Sequence, residues 1–168
     1  MTVAREATRP TSAGEPVDVL LVCSAGGHVL QLHLVAAAWQ GLTHAWVTLS
    51  QEDARSLLAG ERVFYANGPT NRSMRNLVKN IPLAWHLVRM LRPKVVVTTG
   101  AGVAVPFVWI GRLFGAKIVY IESLTRIRKP SLSYRLSRLA VDVSYAQWPD
   151  LTGSLRRPRY VGNVLGGR

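Results

Sequence analysis

Six short runs of β-branched and aromatic residues alternate with helical stretches along this chain of 168 residues, and that alternation restricts its architecture more than any other feature. The β-type runs cover 17–22, 44–49, 62–65, 95–99, 117–121 and 142–146. Apolar spacing predicts helices over 29–40, 51–59, 74–91, 103–114 and 132–140, with Ser50 and Asp53 spaced as a capping box for the second. Strands separated by helices call for parallel pairing through right-handed crossovers. The expected fold is therefore α/β: a single doubly wound parallel sheet with helices on both faces. Val95-Val96-Val97 agrees, because a strand covered on both sides has no polar face. The length suits one such domain and leaves no room for a second.

That domain is expected over 17–168. Residues 1–16, with Thr8, Pro10, Thr11, Ser12, Gly14 and Pro16, have neither the apolar run of a signal peptide nor a helical period, and they read as a flexible tail. Cys23 is the only cysteine, which excludes a disulfide framework and a cysteine-based zinc site and points to a reducing compartment. The longest stretch without Asp, Glu, Lys, Arg or His, 95–111, is too short to span a bilayer and contains Gly100, Gly102 and Pro106; it reads as strand, loop and helix.

Net charge is +12, and its distribution matters more than its size. Between Glu61 and Glu122 there are nine Lys or Arg and no carboxylate, and over 62–141 fourteen cations accompany Glu122 alone. Such a block attracts phosphates, whether on nucleic acid, on an anionic bilayer or on a diphosphate substrate. No stacking-aromatic motif or recognition helix accompanies the charge, so nucleic acid is not the expected partner.

In a doubly wound sheet, ligands bind beyond the carboxyl ends of the strands. Three loops fall there. The first is Ser24-Ala25-Gly26-Gly27-His28, where a glycine pair lets the backbone approach a phosphate and His28 adds a group that titrates near neutrality. The second is Thr99-Gly100-Ala101-Gly102. The third is Glu122-Ser123, followed by Arg126, Arg128 and Lys129. Either His28 or Glu122 could serve as a base; the basic surroundings of Glu122 are expected to lower its pKa, which favours His28. The first turn is not G-x-G-x-x-G, no G-x-x-x-x-G-K-[ST] occurs, and no Asp-x-Asp is present, so neither a cofactor nor a metal is expected.

The 74–91 segment is amphipathic and basic. Met74, Leu77, Val78, Ile81, Trp85 and Val88 share one side, while Arg75, Lys79, His86 and Arg89 fall on another. Two readings follow: the apolar stripe packs on the sheet, or Trp85, Leu87 and Met90 dip into lipid while Arg75, Lys79 and Arg89 meet anionic headgroups. Pro82 should bend or interrupt the helix.

These motifs, together with Gln147-Trp148-Pro149, resemble the acceptor-binding subunit of two-component glycosyltransferases. That group includes the eukaryotic subunit for the second sugar of dolichol-linked oligosaccharide and bacterial polysaccharide proteins of the PssD and CpsF type. The likeness runs over about residues 17–165, and is more distant to the amino-terminal half of the transferase that completes lipid-linked peptidoglycan precursor. It implies a Rossmann-like half of a GT-B enzyme, a metal-independent hexosyltransferase, whose donor-binding half is a separate subunit. It also implies a UDP-sugar donor, a polyprenyl-diphosphate-linked acceptor and a peripheral position at the cytoplasmic face of the cell membrane. His28 and Glu122 would be catalytic on this reading. Ser24, Gly26, Gly27, Thr99, Gly100, Gly102, Ser123 and Arg126 would bind substrate, and Arg75, Lys79, Trp85 and Arg89 would face membrane and acceptor. A non-catalytic adaptor that tethers and activates such a partner is the second reading.

Overall fold

The computed structural model describes residues 14–69 and 73–166. Its strands are β1 (Val19–Val22), β2 (His44–Leu49), β3 (Val63–Ala66), β4 (Val95–Thr98), β5 (Lys117–Ile121), β6 (Val143–Tyr145) and β7 (Pro158–Arg159). All pair in parallel, in the order β3-β2-β1-β4-β5-β6-β7. The helices are α1 (Gly27–His33), α2 (Glu52–Leu57), α3 (Met74–Leu91), α4 (Ala104–Leu113) and α5 (Leu132–Ser137). The expected doubly wound α/β sheet is the fold observed. Most of the expected tail lies outside the described residues; of 14–16, Glu15 offers its carbonyl to both terminal nitrogens of Arg62, at 3.0 and 3.1 Å.

Side chains alternate between two cores. Leu20, Val22, Val96, Ile118 and Tyr120 face α3 and α4, where they meet Leu87, Val88, Leu91 and Phe107. Leu21, Cys23, Val97 and Ile121 face the other way, toward Val29 and Leu32 of α1. Trp39 and Trp46 close that second core edge to face, with ring centroids 6.1 Å apart. Farther from α1 and α2 the same face is only partly covered. Register sets Leu21, Val97, Val119 and Val143 side by side across four strands. A groove of about 540 Å³ runs there, floored by Val95, Val97, Val119 and Val143 and bounded by Trp39 and Val164.

Three expectations are corrected and one, at Pro82, is narrowed. The helix expected over 29–40 stops at His33, and Ala36–Trp39 forms a tighter 3₁₀ turn that brings Trp39 into the core. Ser50 and Asp53 make no capping box: Gln51 stands at the N-cap without a side-chain bond, and Ser50 accepts instead from Arg55. Pro82 does not interrupt α3, which runs unbroken from Met74 to Leu91. The carbonyl that loses its partner belongs to Val78, on the solvent side, where water can replace it. Finally, α3 seats a different stripe from the one its spacing suggested. Asn80, Ala84, Leu87, Val88 and Leu91 are buried, while Met74, Val78, Ile81 and Trp85 are exposed.

Asn80 explains that rotation. It is fully buried; its Oδ1 accepts from the Asn67 amide at 2.8 Å and from Asn67 Nδ2 at 3.1 Å, and its Nδ2 donates to the Asn67 carbonyl at 3.0 Å. One side chain thus satisfies the backbone just after β3 and orients the helix. Asn80→Ala is expected to lower unfolding free energy by about 1–3 kcal/mol, the cost of buried polar groups left unpaired. Urea denaturation reads this directly, and a midpoint equal to that of the unsubstituted chain would contradict it.

Candidate functional site

At the centre of the sheet β1 and β4 are neighbours, yet the chain leaves them toward opposite faces, which opens a crevice at their carboxyl ends. The loops after β1, β4 and β5 all arrive there, and they are bonded to one another. Thr99 Oγ1 donates to the His28 carbonyl at 3.0 Å. Gln31 Nε2 donates to the Glu122 carbonyl at 2.8 Å, and Gln31 Oε1 accepts from the Leu124 amide at 3.2 Å. His28, Thr99 and Glu122 therefore share one rim.

In the first loop Ser24 is half-buried, Gly26 and Gly27 are exposed, and His28 is the second residue of α1. Gly26 has φ 75°, a conformation that glycine adopts at little cost. Its amide is already engaged, donating to Asp53 Oδ2 at 2.6 Å, so Asp53 holds the turn from the start of α2. His28 Nδ1 is enclosed without a hydrogen-bond partner. Burial pushes the imidazole below its ordinary value; the nearby Thr99 backbone pulls upward and the Arg126 charge downward, each more weakly. The ring is thus neutral at pH 7 and able to accept a proton.

The second loop is tightly wound. The Gly100 amide donates to Thr98 Oγ1 at 2.8 Å, and Gly100 and Ala101 both take positive φ, 96° and 67°. A left-handed Ala is strained, and such strain gathers at sites that must hold a set shape. A Cβ on Gly100 would collide with the Tyr120 hydroxyl. Gly102 is half-buried beside them.

Glu122 corrects an expectation. Burial raises its carboxyl above the ordinary range, outweighing the hydrogen bonds from Ser131 and Ser123 and the Arg126 charge that pull it down. The carboxylate does not address the imidazole: Oε1 accepts from the Ser123 amide at 3.0 Å, and Oε2 from the Ser131 amide at 2.9 Å and Ser131 Oγ at 3.1 Å. The Ser123 and Thr125 hydroxyls are hydrogen-bonded to each other at 3.0 Å, and Arg126 is exposed on the turn that follows. Among the described residues no three of His, Cys, Asp and Glu gather closely enough to hold a metal ion.

The α3 residues are less unified. Arg75 and Lys79 lie near the start of the helix, at the edge where the loops meet, but Arg89 is fourteen residues farther on, about 21 Å down the axis. Trp85 lies between them, half-exposed against Phe114 with ring centroids 5.1 Å apart. Gln31 and Asp53 were not anticipated as site residues. Gln31 had a signal, being a polar residue on the apolar inner side of α1, three positions after His28.

This Rossmann-like sheet, with its crevice at the switch point, has the fold of one half of a two-domain GT-B protein. Two solved structures show the same fold: the S. aureus MnaA–UDP co-structure, with a TM-score of 0.71 and 12% identity over 87% of this chain and 45% of that one, and Acinetobacter baumannii MurG, with a TM-score of 0.65 and 20% identity over 80% and 42%. The chain spans less than half the length of either. Residues 66–164, more than half of it, match the family described as "Oligosaccharide biosynthesis protein Alg14 like", and the chain belongs to that family. The UDP-N-acetylglucosamine transferase subunit ALG14 of Eremothecium gossypii is 28% identical, over 90% of this chain and 82% of that protein.

Gly100→Ala tests the second loop. Positive φ and the collision with Tyr120 predict a loss of about 1–3 kcal/mol in unfolding free energy. Pairing it with Tyr120→Phe, which removes the obstructing oxygen, should return part of that loss in the same denaturation measurement.

Proposed function

We propose that this chain is the acceptor-binding subunit of a glycosyltransferase that moves a sugar from a UDP-sugar to a polyprenyl-diphosphate-linked acceptor in polysaccharide biosynthesis. The observation that carries the reading is the meeting of the His28, Thr99 and Glu122 loops at the switch point of an Alg14-like chain. UDP-N-acetylglucosamine, the donor in the name of the Eremothecium relative, is the first to try.

The chemistry needs one base and positive charge. Neutral His28 takes the proton from the acceptor hydroxyl as its oxygen bonds to the anomeric carbon of the donor, and the nucleoside diphosphate departs with the electron pair of the broken bond. Arg126, with Arg128 and Lys129 on the same loop, offsets diphosphate charge. Gly27 and the hydroxyls of Ser24 and Ser123 line the rim where the acceptor would bind; Gly26 and Gly102 shape it. No step passes through Glu122, whose oxygens are engaged in the loop.

Two surfaces support a partner and a membrane. The groove floored by Val97, Val119 and Val143 is filled by no helix of this chain among the described residues, whereas parallel sheets are normally covered on both faces; a donor-binding subunit would complete it. On the opposite layer Met74, Val78, Ile81 and Trp85 are exposed beside Arg75, Lys79 and Arg89, the composition of a helix lying in an anionic bilayer surface. Among the described residues no helix is long and apolar enough to cross a membrane.

Reconstitution with a donor-binding half, UDP-N-acetylglucosamine and a polyprenyl-diphosphate sugar tests the assignment. Transfer should fall about 10²–10⁴-fold in His28→Ala. Because burial depresses the imidazole pKa, the acid limb of kcat/KM should lie below pH 6.5 and vanish in that variant. Full turnover by His28→Ala would leave the adaptor reading, in which the partner performs the chemistry. Sedimentation with phosphatidylglycerol vesicles tests the membrane face: Arg75→Gln and Lys79→Gln should each weaken binding about fivefold, and Trp85→Ser should weaken it too. Equal binding by all three would locate membrane attachment elsewhere.

A further inference from the structure

We propose that Gln31 and Glu122 are positioning residues: together they latch the basic loop 123–130 onto α1 and so fix Arg126 relative to His28. This inference rests on the functional reading above for its consequence, though not for its geometry.

Gln31 is buried on the inner side of α1, where its neighbours Val29 and Leu32 serve the core. An amide in that position is costly unless both ends are bonded, and here both are. Its nitrogen bonds the Glu122 carbonyl and its oxygen the Leu124 amide, so one side chain ties the helix that carries His28 to the end of β5. Glu122 closes the other side. One carboxylate reaches both ends of the loop, holding the Ser123 amide through Oε1 and Ser131, by amide and hydroxyl, through Oε2. Ser131 is itself the N-cap of α5, accepting from the Tyr134 amide at 3.1 Å. Trp148 Nε1 adds a bond to the Leu124 carbonyl at 2.7 Å.

Between these anchors Thr125, Arg126, Ile127, Arg128 and Lys129 are exposed, outside any helix or strand. Left alone, such a segment would place its cations anywhere over a wide arc. Pinned at both ends, it keeps Arg126 where its charge bears on both His28 and Glu122. The groups bonded to the carboxylate are thus the donors of Ser123 and Ser131, with the Arg126 charge acting on it through space and the Tyr120 hydroxyl one hydrogen bond behind Ser131.

Arg126 and Arg128 are trypsin sites, which gives a readout independent of activity. In the full-length chain, Gln31→Ala and Glu122→Ala should be cut after these residues at least tenfold faster than the unsubstituted chain, with cleavage elsewhere unchanged. Equal rates would overturn the latch even if transfer proceeds as proposed. In the reconstituted pair, absence of transfer by the unsubstituted chain would instead count against the functional reading alone. Given transfer, Gln31→Ala and Glu122→Ala should lower kcat about 100-fold, the cost of a misplaced group near the reacting centre. Glu122→Gln, which keeps the shape and an accepting oxygen, should recover to within about tenfold and retain the acid limb. A Glu122→Gln variant as inactive as Glu122→Ala, with the limb abolished, would make Glu122 the base and refute the positioning role. If Glu122→Ala fails to fold, Gln31→Ala and Glu122→Gln decide the matter on the same two readouts.

Discussion

The central pair of parallel strands constrains everything else in this molecule. With β1 beside β4 and the chain leaving them in opposite senses, the loops after both strands are pushed apart and a crevice must open between them. Two hydrogen bonds then stitch the crevice into one rim: Thr99 to the His28 carbonyl across 71 positions, and Gln31 to the Glu122 carbonyl across 91. Each contributes only about 1 kcal/mol net. Their effect lies in register, because they join loops that the sheet has already brought within reach.

Much of this was legible in the order of the residues. The strands at 44–49 and 117–121 and the helix at 74–91 fall where spacing put them, and the three rim loops follow from topology alone once the sheet is recognised as doubly wound. β7 was not legible. Arg156-Arg157-Pro158-Arg159 has no apolar alternation, and a two-residue edge strand needs none, since its outer side faces water and a proline there forfeits no ladder bond. Asp53 was misread for a related reason. Spacing offers it a local partner at Ser50, and only the folded sheet brings the Gly26 amide near enough to compete.

Two failures were energetic. The helix 74–91 has more apolar surface than one face can bury, so periodicity could not say which stripe faces the sheet; the pairing of Asn80 with Asn67 decides it, and a buried asparagine looks like an ordinary polar residue until its partner is found. Glu122 was expected to be acidified by fourteen neighbouring cations along the chain. Most of those are solvated, and exposed charges are screened, whereas the loss of water around the carboxyl acts on that group alone.

The same contrast separates the two surfaces that the fold leaves uncovered. Along the groove on the sheet the floor is valine beside valine and the lining carries no Lys or Arg, so an apolar surface would gain from covering it. On α3 the uncovered apolar residues stand beside cations that have stayed in water, and an apolar protein partner would have to strip those charges of solvent to reach Trp85. A bilayer surface would not, because its headgroups keep the cations solvated while its acyl region takes the indole. Arg75 and Lys79 also lie at the rim edge of the helix. On the function proposed above, a diphosphate whose lipid chain remained in such a bilayer would reach the His28 loop along a basic surface.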